Sequence, residues 1–259
     1  MRTLILAVVV LLPGSAIAQE REQPVQELFL TQVVYPQDRH EVQLTIGNLI
    51  DQSRDDRAAL VPFTVEYGLT DRWQIEAEWA GFTQFHESPL ANLKTARTSI
   101  GTKYSFMNIG GSHVHAAVGM DVEFPRVTAF DAEDEGEQGV EFEPALSMAV
   151  DIGDRITMFG SAGLSIEKQQ AEELLQGTRP DDRGTISVGG LVAFRHVTLA
   201  VEYTNRSDDL PWRLDGSPLV TPSAIFHPGG HWELGIGMPV GVRAGSRMPG
   251  VAWNVTKEF

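Results

Sequence analysis

The chain has 259 residues, with 35 Asp and Glu against 20 Lys and Arg, a net charge of −15 and no cysteine. The charge excludes a nucleic-acid partner, because phosphate binding needs Lys and Arg to displace counterions; the missing thiols remove cysteine catalysis, cysteine metal sites and a lipoprotein anchor. A mean hydropathy of −0.12 fits a soluble protein, and equally a membrane barrel whose alternating strands hide their lipid face from an average.

Residues 1–18 read as a signal peptide. Arg2 supplies a positive start, residues 4–12 an apolar run, and Ala16-Ile17-Ala18 a small-x-small cleavage site. The run is shorter than the about 20 residues that a helical span needs, and no later segment is longer, so no transmembrane helix is expected. Residues 19–39 come before the first strand and hold two apolar clusters, Leu28-Phe29-Leu30 and Val33-Val34-Tyr35. They are a periplasmic lead or a plug folded into a lumen, and partial occlusion is the expectation.

From residue 40 to residue 259 the dominant signal has period 2, which on a strand sends alternate side chains to opposite faces. Val42-Leu44-Ile46 begins it. Val61-Phe63-Val65-Tyr67 and Trp73-Ile75-Ala77-Trp79 follow, with Glu66, Glu76 and Glu78 on the other face. Ile100-Thr102-Tyr104-Phe106 opposes Lys103. Residues Val114 to Phe124 oppose Asp121 and Glu123, and Phe142-Pro144-Leu146-Met148-Val150 opposes Glu141 and Glu143. Alternating runs recur at 156–166, 186–194, 197–203, 220–226, 232–240 and 251–255, which makes about twelve strands.

Short joints at 68–72, 108–112, 153–155, 195–196 and 228–231 alternate with long polar stretches at 48–57, 86–95, 126–139, 168–183, 205–218 and 243–249. A soluble β-sandwich or lipocalin-like barrel also alternates, with its apolar face inward. Two features favour the inverted arrangement. The strands match the about 9–11 residues of a tilted membrane crossing. Aromatics also gather at both ends: Tyr67, Trp73, Tyr104, Phe106, Phe226 and Trp232 beside short turns, Trp79, Phe85, Phe124 and Tyr203 beside long loops. The expected fold is all-β, a transmembrane antiparallel β-barrel of about 12 strands in the cell outer membrane, with short periplasmic turns and longer extracellular loops. Its expected contacts are outer-membrane lipid and, through the C-terminal strand, the barrel-assembly machinery. Terminal Phe259 resembles the signal that this machinery reads, although Lys257 takes an outward position usually held by an apolar side chain.

Three stretches carry a family resemblance: Val65-Glu66-Tyr67-Gly68-Leu69-Thr70-Asp71-Arg72-Trp73, Ile100-Gly101-Thr102-Lys103-Tyr104, and the run from Trp232 through Gly235, Gly237 and Pro239 to Gly241. They are similar to bacterial outer-membrane proteins described as transporters of the phenol meta-degradation pathway. The resemblance implies a barrel and a transport role, and brings no catalytic residue.

Glu66, Glu76, Glu78, Lys103, Asp121, Glu123, Glu141, Glu143, Arg195, Glu202 and Glu233 are the candidate lumen-lining residues. Acids outnumber bases among them, so a channel wall made of them favours cationic or neutral small solutes; the plainer reading is the polar interior of any barrel. His113 and His115 stand two apart without a third ligand fixed by spacing, so no metal and no cofactor are expected, and His231 reads likewise as a rim histidine. Residues 131–137 are acidic but lack the ligand order of a Ca²⁺ loop, and residues 171–175 suit a short helix. Ser161, Ser165, Ser187 and Ser223 sit in no Gly-x-Ser-x-Gly elbow, which makes a lipid-modifying enzyme the weaker alternative. The function expected is a non-enzymatic passive pore or uptake channel for small solutes; the runner-up is a structural or surface-interaction barrel.

Overall fold

In the computed structural model, residues 24–25, 28–51, 58–84, 94–125, 140–167, 183–207, 218–242 and 250–259 are described. The signal peptide, Phe85, the acidic stretch 131–137 and the expected helix at 171–175 lie outside them.

The period-2 segments form an antiparallel sheet that closes on itself. In chain order the strands are β1 (Val42–Asp51), β2 (Ala58–Thr70), β3 (Trp73–Gln84), β4 (Lys94–Phe106), β5 (Val114–Pro125), β6 (Glu141–Ile152), β7 (Ile156–Glu167), β8 (Arg183–Ala193), β9 (Val197–Ser207) and β10 (Leu219–Phe226). Next come β11 (Trp232–Gly237), β12 (Val240–Gly241) and β13 (Val251–Glu258). From β1 to β11 each strand pairs with the next in sequence, β12 pairs with β10, and β13 pairs with both β11 and β1, which closes the sheet into a barrel. Both β11 and β12 pair with β10 and are pieces of one crossing, interrupted at Met238-Pro239, so the barrel has twelve crossings. Proline has no N–H to give to a ladder; here Met238 N–H still donates to Pro222 O and Gly250 N–H to Pro239 O.

Side-chain placement follows the sequence period, with the apolar set outside. Ile100 is 61% exposed, Ile236 53% and Leu199 50%, whereas Gln43, Gln74, Thr198 and Thr221 are fully buried. A soluble barrel has the opposite polarity; an apolar exterior over a polar interior suits a wall that meets hydrocarbon. Trp73, Tyr104, Phe106, Phe226 and Trp232 stand exposed near the short turns, and Phe124 and Tyr203 near the long-loop end. Lys257 keeps its outward position by laying its ammonium 5.5 Å from the Trp232 ring centre and 5.3 Å from that of Phe259, while donating to Gly230 O. A charge at the rim is thereby held over aromatic faces rather than in lipid.

The described residues before β1, 24–25 and 28–38, run inside this wall. Val25, Leu28, Val34 and Tyr35 are buried, packed on Leu191, Ala200 and Ile225 at one side and on Ala117 and Ala149 at another. The small inward side chains of β5, β6 and β9 make the room. The segment joins β1 through a tight turn in which His40 has φ 70 and donates its N–H to Gly68 O. Gly68 has a specific reason to be glycine: a Cβ there would overlap Asp38 O and stand 2.7 Å from Asp38 C.

Candidate functional site

Closing the sheet turns alternate residues of every strand into one inner wall, and the register decides which meet. Gln43 pairs with Glu66, Glu66 with Glu76, Glu76 with Gly101, Gly101 with Asp121 and Asp121 with Glu143. A parallel line runs from Glu78 through Ser99 and Glu123 to Glu141. Like charges directly across a ladder are unfavourable in an ordinary sheet, yet Glu66/Glu76, Asp121/Glu143 and Glu123/Glu141 are such pairs. At Gly101 the row has no side chain, and a Cβ would overlap Asp121 Oδ1 and lie 2.7 Å from Glu76 Cγ. Two carboxylates therefore lean into the space that glycine leaves. Asp121 and Glu123 lie toward the long-loop end of β5, and Glu141 and Glu143 begin β6 at that same end. Ser165 Oγ donates to Glu141 at 2.6 Å.

Nearer the short turns the inward polar groups serve Pro24 and residues 28–38. Phe29 and Leu30 donate their N–H groups to Glu202 Oε1 and Oε2 at 3.1 and 2.8 Å. Lys103 Nζ donates to Val33 O at 3.1 Å, Ser105 Oγ to Val34 O at 2.7 Å and Thr198 Oγ1 to Pro24 O at 3.2 Å. Gln37 N–H donates to Gln74 Oε1, and Gln37 Nε2 to Gln43 Oε1 at 2.6 Å. Glu66 accepts from Gln43 Nε2 at 3.0 Å and from Gln74 Nε2. Asp151 accepts from Thr157, Tyr35 and His115. Because Asn108 N–H donates to His115 Nδ1, the ring proton sits on Nε2, which points at Asp151 Oδ2 3.1 Å away.

Ten of the eleven lumen candidates occupy inward positions, but they do not form one group. Glu66, Lys103 and Glu202 each bond to the inner segment; Glu76, Glu78, Asp121, Glu123, Glu141 and Glu143 make the two acidic lines. Glu233 stands apart, 3.2 Å from His227 Nδ1. Arg195 is a correction: it lies exposed in the turn between β8 and β9, because the strand ends at Ala193 and the alternation that placed Arg195 inward does not extend that far.

His113 is exposed and His115 buried against Asp151, so the two do not share a ligand position. His231 instead meets Glu41 and Glu258, with ligand atoms of all three within 4.8 Å of one another. Spacing along the chain gave no hint of that trio, since only closure of β13 on β1 and β11 assembles it. The partners of the inner segment, Gln43, Gln74, Ser105 and Thr198, were equally missed. They are ordinary polar residues at inward strand positions, and their role follows from where the segment lies.

No family model matches the chain, and no curated protein matches it by sequence. Solved structures share its fold. A structure titled KdgM porin superposes with a TM-score of 0.54 at 8% identity, over 85% of this chain and 98% of that one. The same porin in complex with disordered oligogalacturonate gives 0.54 and 8%, with coverages of 85% and 98%. The NanC porin gives 0.57 at 13% identity, over 83% of this chain and 97% of that one. At these identities the likeness is one of architecture.

Proposed function

We propose that the chain is a passive pore of the cell outer membrane for small solutes, with a wall that favours cationic and neutral ones. The observation that carries this reading is the double line of carboxylates from Glu76 to Glu143 and from Glu78 to Glu141 on the inner face of a barrel whose outer face is apolar. A low-dielectric wall of one charge sign raises the local concentration of the opposite sign. The porin architecture supports a channel, and the resemblance to phenol-pathway transporters supports a transport role without naming a solute. The KdgM porin was captured with oligogalacturonate, a polyanion. Such a ligand meets repulsion here, so the solute of this chain belongs to another charge class.

In this reading residues 1–18 direct export, the short turns face the periplasm and the long loops the exterior. The ends of β13 and Phe259 are what the assembly machinery reads. The reading is non-enzymatic: Ser161, Ser165, Ser187 and Ser223 alternate with outward residues and face the lumen, away from the lipid boundary where a lipid-acting serine must stand. One observation favours the runner-up, a barrel that does not conduct: residues 28–38 occupy the short-turn half of the lumen. Planar-bilayer recording separates the two. Discrete cation-biased openings are expected, and repeated silence under conditions where folded barrel is recovered overturns the pore. Heat-modifiable migration and recovery with the outer membrane test the placement.

A further inference from the structure

The geometry points to a built-in gate: residues 28–38, with Pro24 and Val25 ahead of them, are a plug seated on the lumen wall by main-chain recognition, with the Glu202 carboxylate as its latch, and the pore conducts when they leave. This rests on the pore reading above. The wall does not merely touch the segment. It accepts the N–H groups of Phe29, Leu30 and Gln37 through Glu202 and Gln74, and donates to the carbonyls of Pro24, Val33 and Val34 through Thr198, Lys103 and Ser105. These contacts come from β3, β4 and β9, which span the lumen, so the chain is held from opposite sides.

Shape agrees with the hydrogen bonds. A Cβ on Gly237 would come 2.9 Å from Phe29 Cδ2; one on Gly235 would first overlap Asn254 Oδ1 of the wall itself, with Phe29 Cζ next at 3.0 Å. Gly68 clears the Asp38 carbonyl where the segment turns into β1. The wall is thus carved for this segment at both of its ends. Val25, Leu28 and Val34 are the apolar anchors, and Gln37 donates from both its N–H and its Nε2, with only its buried Oε1 lacking a hydrogen-bond partner. The pivot is the turn at Asp38–Glu41, pinned to β2 by His40 N–H on Gly68 O and Gly68 N–H on Glu41 O, so release swings the segment about a fixed end.

The absence of native cysteine makes the test direct. Gln32 and Ser147 meet side chain to side chain, with Ser147 Oγ 3.4 Å from Gln32 Oε1. Three forms of the full chain are compared in planar bilayers: wild type, a deletion of residues 24–37, and Q32C/S147C bridged by a short bis-thiosulfonate. The deletion is expected to raise open probability severalfold, and the bridge to abolish openings until reductant restores them. A deletion and a bridge that both conduct like wild type overturn the gate and leave the pore standing. Silence of every folded form, the deletion included, removes the pore and the gate with it. A readout independent of conduction covers a deletion that does not fold: labelling of Q32C by an aqueous maleimide should quicken severalfold on adding Glu202→Ala. An unchanged labelling rate overturns Glu202 as the latch.

Discussion

The two halves of the lumen are lined by the same kind of residue and put it to opposite uses. Near the short turns, inward Gln, Ser, Thr and Glu side chains are matched with main-chain groups of residues 24–38, as Glu202 with Phe29 and Leu30 or Ser105 with Val34. Toward the long loops, inward carboxylates are set against other carboxylates, as Asp121 with Glu143 and Glu123 with Glu141. The first half has the chemistry of a protein interior, where each buried polar group needs its partner. In the second, half-buried side chains of like sign face one another across the ladder. One alternating pattern therefore yields a seat and a channel wall, and the register alone tells them apart.

The sharpest way to break the difference is to put a side chain where the seat requires none. Gly68→Leu places carbon atoms on the Asp38 carbonyl; overpacking of this kind costs about 1–3 kcal/mol or more. It should expose the segment to protease at 24–38 while the barrel stays heat-modifiable, which limited proteolysis followed by gel migration reads. Glu202→Ala comes next, leaving two N–H groups without an acceptor at about 1–3 kcal/mol each if they remain buried. Thermal unfolding in detergent should fall in midpoint, and Glu202→Gln, which keeps one acceptor oxygen, should fall less.

The other half should respond in selectivity and not in stability. Changing Asp121 to Asn and Glu123, Glu141 and Glu143 to Gln removes like-charge pairs, so the melting midpoint should hold or rise. The cation-to-anion permeability ratio from reversal potentials should drop severalfold toward unity. The same substitutions leaving that ratio unchanged would show that the acidic lines are not the selectivity wall. The smallest effect belongs to the outer face. Lys257→Leu exchanges a rim ammonium held over Trp232 and Phe259 for apolar surface; midpoint and conductance should change little, within about 0.5 kcal/mol for a surface site.

Much of the fold was legible in the sequence because a barrel wall has one period and one strong sorting force. Apolar residues at every second position, short joints alternating with long ones, and aromatics at strand ends place the crossings to within a few residues, and the expected number of strands is the number found. The inward set was legible for the same reason, with Arg195 failing where a strand end cut the pattern short. Which inward residues act together was not legible. Glu202 and Phe29 are 173 positions apart, and nothing local in either marks them as partners. Glu41 and Glu258 are neighbours of His231 only through ring closure. The expectation for residues 19–39, a periplasmic lead or a plug, came from two apolar clusters and gave no account of what holds the described part.

Ring closure also has a kinetic side. Every ladder but one joins strands that are neighbours along the crossing order and close to one another in sequence. The exception joins β1 to β13, with Thr45 and Thr256 bonded across a separation of 211 residues and Val42 exchanging hydrogen bonds with Phe259. Loop-closure entropy makes such a distant pairing slow in a sheet whose other ladders join strands close in sequence. The expected order is hairpins first, as an open sheet, with closure of the β1–β13 seam as the slow step. Weakening Thr45 or Thr256 should slow folding more than it hastens unfolding, and changes inside a hairpin should do the same, because contacts already made at the barrier act on the folding rate.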